Sequence, residues 1–369
     1  MMRYRMLLTA AAIVPAAVHA QTPATPDQRN AWVVGAQARQ LRFRTATDQF
    51  TVRQVVVPAG LSWRRGAFGL DLGSAWVDSR LEAGAVSRSV SGLTDTQVRG
   101  TYTLGRDLAV LTVAANLPTG LKEAPLADGS VLGAVSSSFL AFPVPAHGSG
   151  AALTGGLAVA VPAGDWNIGL AGSLRWSAEY TPYREGQTAF AYQAGMEGRL
   201  RAGVDRVVGR SRVTAGLTYS TFGTDEFAAG STVTGAYQPG PRWIAEAATV
   251  TAVGARSSLS VFGWHYQRTD GDANGVSVGN RERISGLGAA LRSTLAPAVE
   301  AHLGLDGRLA RIGETPGRLV GGEAGLGLRL SGRVSLVPTI RYETGRLEPG
   351  SGNQTLRGIS GSVFLRSSF

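Results

Sequence analysis

Between Trp166 and Tyr180 the even positions read Trp166, Ile168, Leu170, Gly172, Leu174, Trp176, Ala178 and Tyr180, and the odd ones Asn167, Gly169, Ala171, Ser173, Arg175, Ser177 and Glu179. Successive side chains of an extended chain point to opposite faces, so this stretch predicts a strand greasy on one side and polar on the other. The period of two recurs. Met196, Leu200 and Val204 alternate with Glu197, Arg199, Arg201 and Asp205. Val299, Ala301, Leu303, Leu305 and Leu309 interleave with Glu300, His302, Asp306 and Arg308. Val320, Ala324, Leu326, Leu328 and Leu330 do so with Glu323 and Arg329, and Val334, Leu336, Ile340 and Tyr342 with Ser335, Thr339, Arg341 and Glu343. Segments of this kind are expected at 32–44, 52–64, 67–79, 93–104, 108–116, 151–161, 166–180 and 191–206. Further ones follow at 212–222, 242–253, 257–268, 282–295, 299–312, 319–330, 333–344 and 355–369.

Two kinds of connector separate the segments. Short ones such as "AGD" at 163–165, "GAR" at 254–256, "APA" at 296–298 and "SGR" at 331–333 alternate with long polar ones such as "TDGDANGVSVGNR" at 269–281. Short turns on one rim and long loops on the other are the pattern of an outer-membrane β-barrel. Alternation alone carries no direction, so a soluble β-sandwich with the apolar face inside fits it too. Three features favour the barrel. The polar faces mix both signs of charge with glycine, as a wet lumen permits. Aromatics stand near segment ends (Trp166, Trp176, Tyr180, Trp264, Tyr266, Tyr342), where bilayer interfaces favour them. Phe369, the last residue, falls in phase with Leu365, Val363 and Ile359. The expected fold is therefore an all-β transmembrane antiparallel β-barrel of 14–16 strands over 31–369, with short periplasmic turns and long extracellular loops.

Composition narrows the setting. Arg3 and Arg5, the apolar run from Met6 to Ala17 and "VHA" at 18–20 read as a secretory signal peptide over 1–20, too short and too interrupted by Pro15 to span a bilayer. The polar, proline-bearing stretch 21–30 reads as a periplasmic lead. The absence of cysteine excludes disulfides and thiolate metal sites. Basic residues number 36, or 34 without Arg3 and Arg5, against 26 acidic ones. Almost all are arginine, scattered among acids along the whole chain, so no basic face marks a nucleic-acid partner.

"SGLTDTQVRGTYTL" at 91–104 is followed by "LPTGLKEAPLADGSVLGAVSSSFLAFPVPAHGSG" at 117–150 and "WNIGLAGSLRWSAEYTPY" at 166–183. In that order these stretches resemble the FadL-like outer-membrane transporters and the related MetA-pathway-of-phenol-degradation family. Ser91, Gly92, Asp95 and Thr96 fit the family's Ser-Gly-x-Gly-Asp element, with Thr94 where a second glycine is usual. The resemblance implies passive uptake of small hydrophobic or aromatic compounds across the bacterial outer membrane; no enzymatic activity and no cofactor are expected. The closing segment likewise resembles the last strand of outer-membrane barrels, with Ser367 where an apolar residue is usual. That likeness makes Phe369 an assembly signal for the barrel-assembly machinery. The expected partners are thus outer-membrane lipid, that machinery and a small hydrophobic ligand.

Two sets of residues are candidates for function. In the long loop 117–150, Leu132, Val135, Phe139, Leu140 and Phe142 are too apolar for a solvated linker. They read either as a greasy surface that captures an apolar ligand or as side chains packed inward as a constriction. The second set, Glu197, Arg199, Arg201, Glu300, His302, Asp306, Arg308, Glu323, Arg329, Arg341 and Glu343, is expected to line the lumen. It either selects anions through its excess of arginine or simply pairs across strands. An outer-membrane hydrolase needs serine, histidine and an orienting group together. His147, His265 and His302 show no serine at a motif spacing, and no metal spacing, phosphate loop or nucleophile elbow occurs. A structural or adhesive barrel is the remaining alternative.

Overall fold

The computed structural model describes residues 30–105, 108–229, 232–349 and 352–369. The expected signal peptide at 1–20, and the lead at 21–30 apart from Asn30, lie outside the described residues. In chain order the strands begin with β1 (Ala31–Arg44), β2 (Gln49–Arg65), β3 (Phe68–Ala83), β4 (Val86–Leu93), β5 (Thr96–Leu104) and β6 (Ala109–Leu117). A short strand β7 (Ala124–Pro125) and the helix α1 (Gly129–Val135) follow. Next come β8 (Ala152–Ala163), β9 (Trp166–Ser177), β10 (Tyr180–Glu185), β11 (Thr188–Gln193), β12 (Glu197–Val208) and β13 (Ser211–Phe222). Then β14 (Asp225–Ala229), β15 (Thr232–Gln238), β16 (Arg242–Ala252), β17 (Ser257–Arg268), β18 (Asp272–Ala273) and β19 (Val276–Ser277). The last five are β20 (Glu282–Ala296), β21 (Val299–Ile312), β22 (Thr315–Arg329), β23 (Val334–Leu347) and β24 (Gln354–Ser368).

The long strands pair antiparallel with their neighbours around a ring. The ring is closed by β24 against β1, from Ala31 opposite Ser368 to Arg44 opposite Thr355. β4 and β5 are two pieces of one wall strand, since β4 pairs with the upper part of β3 and β5 with its lower part. Counted so, the barrel has sixteen strands. The break between the two pieces falls at Thr94–Asp95. Tight turns such as those at Gly66 (φ 59°) and Gly164 (φ 62°) join strands at one rim, where a left-handed residue matches the twist of the hairpin. The opposite rim bears the long loops, with short turns at 84–85 and 313–314 among them. Segment 80–92, expected to be a connector, is instead a hairpin of β3 and β4 around Gly84.

The long loops are themselves ordered. β7, β10, β11, β14, β15, β18 and β19 make a separate seven-stranded sheet standing on that rim. Residues 178–180 and 191–193, expected at the ends of wall strands, belong to that loop region. Tyr180 therefore packs edge-on to Tyr192 above the wall, not at a bilayer interface.

Apolar side chains turn outward. Leu170 and Leu174 on β9 and Leu305 on β21 are each more than 60% exposed, while polar and small residues between them face inward. Trp166 and Trp176 cap the two ends of β9. Ten residues of strand rise about 33 Å, and a barrel tilt near 40° leaves about 25 Å, the height of a lipid-facing band. Trp63, Phe68 and Tyr102 continue the aromatic girdle near the short-turn rim, and Trp76, Trp243 and Tyr342 stand toward the other. Trp264 and Tyr266 do not belong to it. They face the lumen and pack against its core, where the Trp264 ring lies over Gly286. A Cβ there would sit 2.4 Å from the indole nitrogen, so only glycine fits.

Candidate functional site

The apolar core of this molecule lies inside the barrel. Leu41 and Phe43 of β1, Val52 of β2, Ile284 of β20, Ala310 of β21, Leu319 of β22 and Leu356 of β24 face inward in the half of the lumen nearer the long loops. All are buried because the segment 117–150 folds back into the barrel and fills the space with Val135, Phe139, Leu140 and Phe142. Leu132, on the other side of α1, is half-buried. Within α1, Val131 and Val135 are one turn apart and share its buried face. Four of the five expected greasy residues, Val135, Phe139, Leu140 and Phe142, are therefore wall contacts within the lumen, and Leu132 is not among them.

Both ends of this plug are tied at one point, the break in the fourth wall strand. The Asp95 carboxylate accepts from Gly120 N at 3.0 Å, from Ser149 N at 2.6 Å and from Ser149 Oγ at 3.1 Å. Thr119 accepts from Thr96 N at 2.8 Å and donates to Thr94 O. Asp95, a residue of the resemblance with no assigned role, thus clamps the plug's entry and exit. Asp95→Asn keeps the shape but offers one acceptor oxygen instead of two, and hydrogen bonds to a charged group are worth about 1.5–3 kcal/mol. Proteolysis within 117–150 of the detergent-solubilised variant should be faster by on the order of tenfold. Beside the clamp, His147 is buried and its ring nitrogens lack a partner of hydrogen-bond geometry among the described residues. Burial pushes its pKa below the usual imidazole value, so it packs as a neutral ring.

The middle of the plug is held from the wall. Gln54 on β2 is fully buried and bonds Val144 both ways, donating to its carbonyl at 2.7 Å and accepting from its N–H at 2.9 Å. Arg308 donates to Phe139 O at 3.3 Å. Arg39 donates to Ala141 O and lies over the Phe142 ring, 5.1 Å from its centroid. To present that carbonyl Ala141 takes φ 50°, a left-handed conformation that costs an L-residue about 1–2 kcal/mol. Arg39 is itself braced by Glu343 at 2.7 Å, both being at most 5% exposed. Arg341 and Arg308 extend this buried network through Asp306, and Arg341 returns to Glu343 at 3.8 Å.

The expected lumen residues fall into separate groups. Asp306, Arg308, Arg341 and Glu343 form the floor of the plug. His302 and Glu323, 3.4 Å apart, and Glu300, paired with Arg292 at 3.2 Å, lie nearer the short turns. Glu197, Arg199 and Arg201 stand on the far wall, and Arg329 is exposed at the end of β22. Arg39 and Gln54, which grip the plug together with Arg308, were not legible as such. His265 faces outward and bonds Ser285 Oγ through Nδ1 at 2.8 Å. No acid or amide holds the other nitrogen among the described residues. No group of three His, Asp or Glu among them could hold a metal.

No family model matches this sequence, and no curated protein matches it by sequence. The backbone is similar to that of the Pseudomonas putida toluene transporter TodX, with 10% identity, 94% of this chain and 90% of that chain covered, and a TM-score of 0.47. It is also similar to the CymD monoaromatic hydrocarbon channel, at 10% identity, 92% and 88% coverage and a TM-score of 0.44. Pseudomonas putida OprB in its low-pH structure gives 8% identity, 92% coverage of both chains and a TM-score of 0.44.

Proposed function

We propose that this chain is a bacterial outer-membrane channel for passive uptake of small hydrophobic molecules, fatty-acid-like or aromatic, as the resemblance to FadL-like transporters implies. The observation that supports it is the apolar, dry inner wall. A purely aqueous pore has no use for Leu41, Phe43, Val52, Ile284, Leu319 and Leu356 on its lumen side, because water would hydrate them at a cost. Here Val135, Phe139 and Phe142 cover that wall, and an apolar molecule can exchange with them while making the same contacts. Each buried Å² of such a ligand contributes about 25 cal/mol, enough to draw a ring or an acyl chain from water. In this reading the long-loop sheet faces the outside and the short turns face the periplasm. Phe369, exposed at the periplasmic rim with its N–H on Asn30 O, is the assembly signal.

The test is uptake of an apolar fluorescent probe by vesicles or cells carrying Leu41→Ser with Leu319→Ser. Each buried leucine lost removes about 1.5–3 kcal/mol of apolar contact, so uptake should fall tenfold or more. A folded variant, still heat-modifiable on gels, that takes up the probe as fast as the parent would overturn the reading.

A further inference from the structure

The plug covers only part of the inner wall. No side chain of β9, β12, β13 or β16 enters the dry cluster. Where Arg39, Arg308 and Glu343 on the plug side are 5%, 7% and 1% exposed, Arg199, Arg242 and Arg201 on the far wall are 25%, 21% and 38% exposed. On β12 the inward row Glu197, Arg199, Arg201, Gly203 and Asp205 is part-exposed along its whole length. Toward the short turns this row opens on a cavity of about 480 Å³ lined by Arg201, Asp205, Arg212 and Glu246 together with apolar side chains such as Ala247 and Phe262. Charges cancel there: Arg201 pairs with Glu246, and Arg212 with Asp205 at 2.9 Å.

Toward the long-loop rim they do not cancel. The strand register carries one level around the wall, with Arg175 opposite Glu197, Ser220 opposite Arg199 and Arg242, Arg242 opposite Arg268, and Arg268 opposite Glu282. Four guanidiniums share two carboxylates. Glu197 serves both Arg199 at 2.7 Å and Arg242 at 2.8 Å. Glu282 takes Arg268 at 3.5 Å and the Tyr266 hydroxyl at 3.2 Å. Arg175 has no ion pair among the described residues. The buried loop carboxylate Asp225 is occupied by Tyr192 Oη and Gly195 N, each at 2.8 Å. Two buried donors, Nε of Arg242 and of Arg268, have no acceptor among the described residues.

We propose that this arginine collar admits small anions, inorganic ions and short carboxylates alike, to a water-lined passage along β12 that stays open while the plug is in place. A net positive ring within low-dielectric walls concentrates anions at the mouth. The balanced pairs below hold them weakly enough to let them leave. The passage is separate from the apolar uptake proposed above, which the serine variants test on their own.

The experiment is conductance and reversal potential of the full chain in planar bilayers across a salt gradient, first in potassium chloride, then in potassium acetate. The expected result is a steady conductance in both salts with anion preference. Arg175→Gln with Arg268→Gln should reduce that preference, and Glu197→Gln should raise it; damage to the fold alone does not move the two in opposite directions. Current in chloride but not acetate would limit the passage to inorganic ions and overturn the carboxylate part. A silent full chain, conductance that begins only once the plug is removed, cation preference, or a preference unmoved by either change would each overturn the proposal.

Discussion

A chain lacking residues 131–142 should still close its barrel and conduct several-fold more current than the parent. The ring needs nothing from the plug, because β6 and β8 already pair below it and Asp95 still ties the shortened loop at Gly120 and Ser149. A sixteen-stranded barrel without a stopper is wide enough for a water channel. Removal of Val135, Phe139 and Phe142 also exposes Leu41, Phe43, Leu319 and Leu356 to that water. The variant should then move apolar solutes no better than polar ones of equal size. Single-channel recording and paired uptake of an apolar dye and a sugar measure both effects. A conductance equal to the parent's would show that the plug does not limit the lumen.

Glu343→Ala should be among the most destabilising single changes in the barrel. Glu343 is 1% exposed and sits against Arg39, with Arg341 beyond it. Without it Arg39 loses its carboxylate partner, and the three cations Arg39, Arg308 and Arg341 are left with Asp306 and with Glu323 opposite Arg341. Breaking a buried pair from one side costs about 3–5 kcal/mol. The loss should appear as a lower urea midpoint for unfolding from lipid vesicles, followed by tryptophan fluorescence. Arg39→Met together with Glu343→Leu should lose less than Glu343→Ala alone, because a vacated pair filled by apolar side chains carries no stranded charge. Equal losses would mean that Glu343 acts through packing, not through its charge.

The strand pattern was legible because one buried and one wetted face impose a period that survives in the sequence. It failed where both faces are apolar. On β17, Leu259 and Val261 point outward while Phe262, Trp264 and Tyr266 point into the lumen, so the two aromatics near the strand end looked like interface anchors. The loop sheet was hidden because its strands are short and were absorbed into neighbouring wall segments or into polar connectors. For the plug, the sequence showed a greasy run with no partner. Its partners, Leu41, Ile284 and Leu319, are scattered singly on strands far apart in the chain. Arg39 and Glu343 lie 304 residues apart and approach only because β1 and β23 flank β24 in the closed ring. The arginine collar is likewise a product of register, which periodicity does not supply.

The seam between the first strand and the last sets a condition on how this protein comes into being. Everything from Gln49 to Leu347 has its neighbour close by in the chain, but Ala31–Arg44 must wait for Gln354–Ser368, the far end of the polypeptide. Contacts that distant form slowly, since a loop of nearly the whole chain must be closed to make them. Until then two raw edges of unpaired N–H and C=O groups confront a solvent of hydrocarbon that satisfies neither. A chain cut short by even its final strand is therefore no slightly weaker barrel but an open ribbon, and cells should clear it instead of inserting it.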